Sequence, residues 1–349
     1  MEDPIDLQAT ARALPKVLLH EHLDGSLRVA TLLDLLRARG LQPPAPDVNA
    51  LATWFDDNAH AGSLEKYLAG FALTVAAMAS PAALRRVAFE AAEDAALDGA
   101  VLAEFRIAPL LFEAHGVSGE AAVEALLLGL QSSAALPLNQ KSGLIVCAMR
   151  HLPPSETQRA ARLALRYQGQ GVIGFDLAGA EKGHPPAEHA AALALVRDAG
   201  LPMTLHAGEA DAAERVLEAG RLGAQRIGHG VHLVDALHSP ERRHLVAEAI
   251  ALSLHLEVCP TSNVHTGAAA SIASHPITAL WQAGVSLSYH TDNRLMSRIS
   301  HSDEAAALLR HTPLKAADLL LMARQAAQHS FLPAAQRLAA LQAIERATV

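Results

Sequence analysis

The feature that most constrains this chain is a regular alternation of short apolar runs with helical segments. Helical periodicity of about 3.6 residues separates each apolar run from the next. Strict alternation of this kind indicates a parallel sheet, and eight repeats indicate an α/β fold that closes into a (β/α)8 TIM barrel. The eight predicted strands lie at residues 16–19, 101–107, 144–148, 172–175, 202–206, 226–229, 256–259 and 285–289.

Two additions to the barrel are expected. A proline cluster at residues 43–46 interrupts the chain after the first strand, and helical patterns resume before the second. We therefore predict a helical cap insertion over residues 41–80. Residues 303–349 are predicted to form two or three further helices packed outside the barrel. Because barrels reach this length as one unit, residues 1–349 are predicted to be a single domain.

Composition excludes several classes of partner. Hydrophobic residues make up 51% of the chain, aromatic residues only 3%, and the net charge is −8. An acidic, aromatic-poor chain is a poor match for nucleic acid. Neither a signal peptide nor an apolar run of about 18 residues is apparent, so no membrane partner is expected. Cys147 and Cys259 do not suggest a disulfide framework, and a cytoplasmic location is predicted.

The polar residues that carry chemistry fall at the ends of predicted strands. His206 closes an apolar strand, with Glu209 three residues later, and His20 and His22 follow the first strand. Residues i and i+2 of a strand point to the same face, so the two imidazoles of His20-x-His22 project together. Asp292 follows the last strand, where a buried carboxylate is costly unless it is paired or binds metal. We predict one divalent metal site, with zinc as its occupant.

Each of these residues also has a structural alternative. Among 19 histidines, chance supplies about one His-x-His pair, so this motif alone is weak. His206 could be a core histidine, Glu209 a solvated carboxylate at a helix start, and His229, between two glycines, a turn residue. Cys259 is interpreted as a small buried filler. The remaining histidines that lack a strand-end setting are predicted to lie on the surface or in the cap, among them His60, His115, His184, His238, His244 and His301.

Six short motifs follow one another along the chain. They are His-x-His-x-Asp-Gly at 20–25, Asp-Leu-Ala-Gly at 176–179, His-Ala-Gly-Glu at 206–209, Gly-His-Gly at 228–230, Cys-Pro-Thr-Ser-Asn at 259–263 and Thr-Asp at 291–292. In this order they resemble the motifs of the adenosine deaminases, a family of the metal-dependent amidohydrolase superfamily. The resemblance runs from about Leu18 to Asn293.

This resemblance implies a role for each matching residue. Zinc, one ion per chain, would be held by His20, His22, His206 and Asp292. Glu209 would handle the proton at purine N1, and His229 would orient a water molecule and help to deprotonate it. The substrate-binding residues would be His22, Asp24 at the ribose 5′-hydroxyl, the backbone of Gly179 at purine N3, and Asn293. The family usually has Asp-Asp where this chain has Asp292-Asn293, and we expect the Asn293 amide to donate to purine N7.

The resemblance implies zinc-dependent hydrolytic deamination of adenosine and deoxyadenosine to inosine, deoxyinosine and ammonia, in purine salvage. The alternatives are deamination of adenine or of a modified adenosine, a two-metal hydrolase of the same superfamily, and a barrel that only binds nucleosides. A two-metal site would usually need a bridging lysine or glutamate at the end of the fourth strand, where this chain has Gly174-Phe175-Asp176. The adenine deaminases usually have glutamate at the position of Asp24, which favours a nucleoside. The sequence gives no oligomeric state.

Overall fold

A computed structural model describes residues 6–59, 64–133 and 140–347 of the chain. Its strands form one eight-stranded parallel sheet in chain order, so every neighbour in sequence is also a neighbour in space. All eight predicted strands are present, with ends shifted by a few residues. The strands are β1 Lys16–Leu18, β2 Ala100–Ile107, β3 Lys141–Met149, β4 Val172–Ala178, β5 Met203–Ala207, β6 Arg226–His229, β7 His255–Val258 and β8 Ser286–Tyr289.

The segments that follow β1 and β8 meet and close the sheet. The backbone N–H of His22 donates to the carbonyl of Asp292 at 2.8 Å, and the N–H of Asp292 donates to the carbonyl of His20 at 3.0 Å. The first and last strands are therefore joined at their carboxyl ends, beside the predicted metal ligands. The fold is a (β/α)8 barrel, as the alternation of strands and helices predicts.

Helices separate the strands as expected. The first part of the chain has α1 Leu7–Ala13, α2 Val29–Ala38, α3 Val48–Ala59, α4 Leu64–Met78 and α5 Pro81–Leu97. The repeats continue with α6 Gly119–Ser133, α7 Pro154–Arg166, α8 Ala190–Asp198, α9 Ala213–Arg221, α10 Arg243–Ala251, α11 Pro260–His265, α12 Ile277–Gln282 and α13 Arg294–Ser297. The final helices are α14 His301–His311, α15 Ala316–His329 and α16 Ala334–Glu345.

The region predicted as a cap contains α3 and α4, inserted between β1 and β2. Gly70 of α4 lies against Met296 of α13: a Cβ built on Gly70 would be 2.9 Å from the sulfur of Met296. The insertion therefore reaches the segment that follows Asp292, although its covering of the site stays a prediction. His60 and its neighbours up to residue 63 lie outside the described residues.

The interior of the barrel is charged as well as apolar. Arg226 is fully buried, where its guanidinium bonds Glu257 at 2.6 Å and Glu104 at 2.7 Å and lies 3.6 Å from the ring centre of Phe331. Ion pairs at this depth are tolerated because every charge has an opposite partner. In the described part of the chain no helix is long and apolar enough to cross a membrane.

Candidate active site

The four predicted metal ligands meet at the carboxyl end of the barrel. The Nε2 atoms of His22 and His206 are 3.2 Å apart. The Oδ1 of Asp292 lies 3.3 Å from Nε2 of His20 and 3.5 Å from Nε2 of His22. His20 is fully buried, and its Nε2 has no hydrogen-bond partner among the described residues. His20, His22 and Asp292 offer ligand atoms that all lie within 4.8 Å of one another, and His206 adjoins His22, so three imidazole nitrogens and one carboxylate oxygen form a donor set suited to zinc.

Two buried carboxylates hold the histidine nitrogens that face away from this point. Nδ1 of His20 lies 2.9 Å from Oε2 of Glu257, and Nδ1 of His206 lies 3.1 Å from Oδ1 of Asp176. Arg106 donates to both acids, at 2.5 Å and 2.9 Å. Burial would raise the pKa of Glu257, but Arg106, Arg226 and His20 together outweigh it and lower that pKa well below its usual range. Ionised acids at Nδ1 leave each Nε2 unprotonated and free to bind metal.

The backbone at the strand ends brings the rings together. A Cβ built on Gly228 would lie 3.0 Å from Cε1 of His20 and 3.2 Å from Cγ of His206, so any larger residue would crowd the two rings. His229 and Asp292 have φ angles of 64° and 60°, in the left-handed region that residues other than glycine rarely adopt. Strained residues of this kind concentrate at functional sites, where the surrounding structure holds them in place.

Glu209 and His229 lie side by side next to the ligand group. Oε2 of Glu209 is 3.4 Å from Nε2 of His229. Oε1 of Glu209 accepts hydrogen bonds from Oγ1 of Thr266 at 2.9 Å and from Nδ2 of Asn263 at 3.2 Å. A ring nitrogen of His229 also lies within 4.8 Å of those of His20 and His206. The His229 side chain is buried, which lowers its pKa, whereas the Glu209 side chain is 21% exposed and can face a ligand.

Glu181 fixes the loop that presents Glu209. Its carboxylate accepts three consecutive backbone N–H groups, from Gly208 at 2.5 Å, Glu209 at 3.0 Å and Ala210 at 2.7 Å. Gly208 allows this turn because its φ is 69°. Glu181 comes from the loop after β4 and Glu209 from the loop after β5, so one buried carboxylate ties two loops of the site together.

The predicted substrate-binding residues lie around the same loops. Asp24 is buried, its Oδ1 has no hydrogen-bond partner in the described structure, and burial raises its pKa to about 7. Asn293 is buried against Gly25, where a Cβ would lie 1.9 Å from the amide oxygen of Asn293. Gly179 has φ of 95° and begins the loop that carries Glu181. The His22 side chain, 14% exposed, lies at the edge of the ligand group.

Several supporting residues were not predicted. They are Glu181, Glu257, Asn263, His275 and Ser262, which donates to Oδ2 of Asp292 at 2.6 Å. Glu257 could have been noticed in the sequence, because it is a charged residue within the apolar strand Leu256–Val258. Glu181 and His275 lie in loops, and Ser262 and Asn263 lie in the short helix α11, where no periodicity reveals their direction.

The prediction that His301 lies on the surface or in the cap was wrong. His301 is buried at the start of α14, and its Nε2 donates to the carbonyl of Tyr289 at 2.9 Å. The same prediction was also wrong for His189 and His275, which are buried, whereas His115, His238 and His244 are exposed and His184 is half-buried. Cys259 is buried and unpaired, in agreement with its interpretation as a filler.

Known proteins resemble the chain over nearly its whole length. Two curated relatives are adenosine deaminases. The one from Mycobacterium bovis is 43% identical, over 95% of this chain and 93% of the relative. The one from Mycobacterium avium is 41% identical, over 97% of this chain and 96% of the relative.

Solved structures of deaminases share the fold. An Arabidopsis N6-mAMP deaminase has a TM-score of 0.83 at 26% identity, covering 96% of this chain and 98% of that one. An Arthrobacter aurescens adenine deaminase has a TM-score of 0.85 at 22% identity, covering 95% and 98%. A Burkholderia ambifaria amidohydrolase with bound Zn has a TM-score of 0.85 at 24% identity, covering 99% and 93%.

A model of the adenosine deaminase family matches residues 15–347, which include every residue of the site described above. The relatives more than 40% identical carry the same name. The chain belongs to the adenosine deaminase family and is a hydrolytic deaminase.

Proposed function

We propose that the protein is a zinc enzyme that hydrolyses adenosine and deoxyadenosine to inosine, deoxyinosine and ammonia. The observation that carries this proposal is the meeting of four metal-type ligands with Glu209 and His229 at one end of the barrel. A barrel that only binds nucleosides would need neither a complete ligand set nor a carboxylate and an imidazole beside it. The relatives named adenosine deaminase support the choice of adenosine.

His20, His22, His206 and Asp292 would hold the zinc. The buried Nε2 of His20 lacks a hydrogen-bond partner among the described residues, which is costly unless a cation binds there. The related amidohydrolase with bound Zn supports the identity of the metal. Zinc at this position would lower the pKa of a water molecule to about 7 and so provide a nucleophile at neutral pH.

A single metal fits better than two. Asp176 is the acidic residue of β4 that a second ion would need, but both its oxygens are engaged. Oδ1 faces Nδ1 of His206 at 3.1 Å, and Oδ2 accepts from Arg106 at 2.9 Å. A second cation beside Asp176 would also face the guanidinium of Arg106.

Glu209 would carry the proton that the reaction needs. Water adds at purine C6, and this leaves electron density on N1, which must accept a proton. The Glu209 carboxyl group would donate that proton to N1, take up the proton that the water molecule loses, and pass it to the departing amine. Neutral donors, Thr266 and Asn263, hold the carboxylate without neutralising it. His229, beside it, would orient the attacking water.

Substrate recognition would rest on residues around the mouth of the site. Asp24 would accept a hydrogen bond from the ribose 5′-hydroxyl, and its unpartnered Oδ1 is suited to that contact. A carboxylate at this place would repel a 5′-phosphate. The backbone of Gly179 would meet purine N3, His22 would border the purine, and the Asn293 amide would donate to N7.

Substrate comparison tests this proposal. We expect hydrolysis at C6 of adenosine and deoxyadenosine, measured by formation of the hydroxylated purine product, to have a higher kcat/KM than hydrolysis of adenine, AMP or N6-methyl-AMP, the last of which would release methylamine. Adenine and N6-mAMP are the substrates named for the two structural relatives, so they are the relevant competitors. The variant Asp24→Asn, which removes the repulsion, should lose part of the discrimination against AMP. Faster turnover of adenine or of a nucleotide than of adenosine by the wild-type protein would refute the assignment.

A further inference from the structure

Behind Glu209 and His229 lies a buried pair that the proposed reaction does not yet use. Asn263 is fully buried in α11, and His275, 4% exposed, lies just before α12. Nε2 of His275 is 3.3 Å from Oδ1 of Asn263. Nδ2 of Asn263 is 3.1 Å from Nδ1 of His229 and 3.2 Å from Oε1 of Glu209. One amide therefore contacts both residues assigned to the chemistry.

One backbone N–H group determines which atom donates in each of these hydrogen bonds. The N–H of Ile277 donates to Nδ1 of His275 at 3.0 Å, so that nitrogen carries no proton. Burial lowers the pKa of His275 to about 3, and the imidazole is therefore neutral at pH 7. A neutral imidazole with a bare Nδ1 must carry its proton on Nε2. His275 thus donates to the Asn263 oxygen and fixes which end of the amide faces His229.

Each of the two N–H groups of the oriented Asn263 amide then has one acceptor. One donates to Oε1 of Glu209, and the other donates to Nδ1 of His229. Since Nδ1 of His229 accepts, the proton of its neutral ring is on Nε2. That nitrogen points toward Oε2 of Glu209, 3.4 Å away.

We propose that Asn263, oriented by His275, is a positioning residue that holds His229 in its Nε2–H tautomer and holds the Glu209 carboxylate beside it. The proposal rests on the proposed function and deepens it. With Nε2 protonated and Nδ1 facing an amide N–H, His229 is a hydrogen-bond donor toward water or substrate oxygen. It orients the nucleophile, and the proton lost by water during addition at C6 goes to Glu209.

The tautomer can be read directly by nitrogen NMR on the purified wild-type protein labelled with 15N-histidine. The His229 signals are assigned by their loss in His229→Gln. We expect a pyridine-type Nδ1 and a pyrrole-type Nε2 for His229. A protonated Nδ1 at pH 7 would overturn the proposal. Because this readout needs no turnover, it stands or falls separately from the substrate assignment.

The substitution Asn263→Asp tests the consequence. A carboxylate has the same shape but only accepts, so it draws the His229 proton to Nδ1 and repels Glu209. We expect kcat for adenosine to fall by up to about 10⁴-fold, the loss seen in a serine protease whose catalytic histidine is held in the wrong tautomer. KM and zinc content should change little, and the Nδ1 signal should become pyrrole-type. Unchanged kcat in a folded, zinc-loaded variant contradicts the proposal.

A matched pair at His275 separates positioning from packing. His275→Gln retains an N–H donor for the Asn263 oxygen, whereas His275→Leu fills the space without one. We expect His275→Leu to lower kcat by about tenfold, the equivalent of about 1.4 kcal/mol for one hydrogen bond. His275→Gln should recover most of that loss, with thermal unfolding temperatures of the two variants alike. Equal kcat in the two variants would reduce His275 to a packing role and refute its part in the proposal.

Discussion

The two halves of the site are held by opposite means. In the ligand half (His20, His22, His206 and Asp292), buried charged side chains position the ligands. Glu257 and Asp176 accept hydrogen bonds from Nδ1 of His20 and of His206, and Arg106 donates to both carboxylates. The proton-transfer half, Glu209 and His229, is held by neutral amide and hydroxyl groups. Charged support suits groups whose protonation must not change. Neutral support suits a carboxyl group that has to gain and lose a proton in every turnover.

This difference leads us to expect the largest effect on rate alone from Glu209→Gln. The amide keeps the shape of the side chain but cannot transfer the proton. We expect kcat to fall by about 10²–10⁴-fold or more, while KM, zinc content and the free energy of unfolding stay near wild type. Steady-state kinetics with metal analysis checks this. A variant that raises KM and leaves kcat unchanged would mean that Glu209 only binds substrate.

In the ligand half the corresponding change, Glu257→Gln, should damage the fold and the metal site together. It leaves Arg106 and Arg226 without their shared carboxylate, and loss of one partner of a buried ion pair costs about 3–5 kcal/mol. His20 also loses its Nδ1 acceptor charge, which should weaken zinc affinity by about 10–100-fold. Urea unfolding and competition with a chelator measure the two effects. If Glu257→Gln lost kcat but kept its stability and zinc affinity, the proposed difference between the two halves would be contradicted.

Glu181 offers an intermediate case, because it supports the proton-transfer half through the backbone. Glu181→Ala leaves the N–H groups of Gly208, Glu209 and Ala210 without their acceptor. We expect kcat to fall by up to about 100-fold, since small displacements of a catalytic group are this costly. Glu181→Gln retains one acceptor oxygen and should lie between the alanine variant and wild type. Zinc content should be normal in both, which distinguishes them from Glu257→Gln.

The smallest expected effect on rate concerns Glu304, which supports the start of helix α11 between the two halves. Its Oε1 accepts the N–H of Thr261, next to Ser262 and Asn263, and burial raises its pKa from an ordinary 4.5 to about 8. The folded state therefore favours the neutral acid, and stability falls as pH rises from about 4.5 to about 8. Glu304→Gln should match wild type near pH 5 and exceed it at pH 9, by denaturant unfolding. Parallel pH curves for the two proteins would contradict this.

The sequence is informative about the barrel and the ligand half for a physical reason. The period of each strand determines which face a residue such as His206 occupies, and parallel strands bring all carboxyl ends together. The contacts of the supporting groups cannot be predicted in this way. His20 and Glu257 are 237 residues apart in the chain, and Glu181 reaches Glu209 from a different loop. Their partners depend on how loops pack, which no local pattern records.

The wrong prediction for His301 has the same cause, since its burial depends on how a helix packs. Its lack of a strand-end setting suggested a position on the surface or in the cap, but α14 docks against the barrel so that the imidazole donates to the last residue of β8, Tyr289. Asn263 lies within a recognised motif, and yet its role depends on His275, twelve residues later, and on the backbone of Ile277. Tertiary contacts decided both cases.

Zinc titration of the chelated wild-type protein tests most directly whether the four ligands serve one catalytic ion. We expect ammonia release from adenosine to vanish on complete chelation. It should then rise linearly with added zinc to a plateau at one equivalent per chain, and His206→Ala should neither hold zinc nor recover. Activity that survives chelation, or that needs two equivalents, would contradict a single zinc ion held by His20, His22, His206 and Asp292.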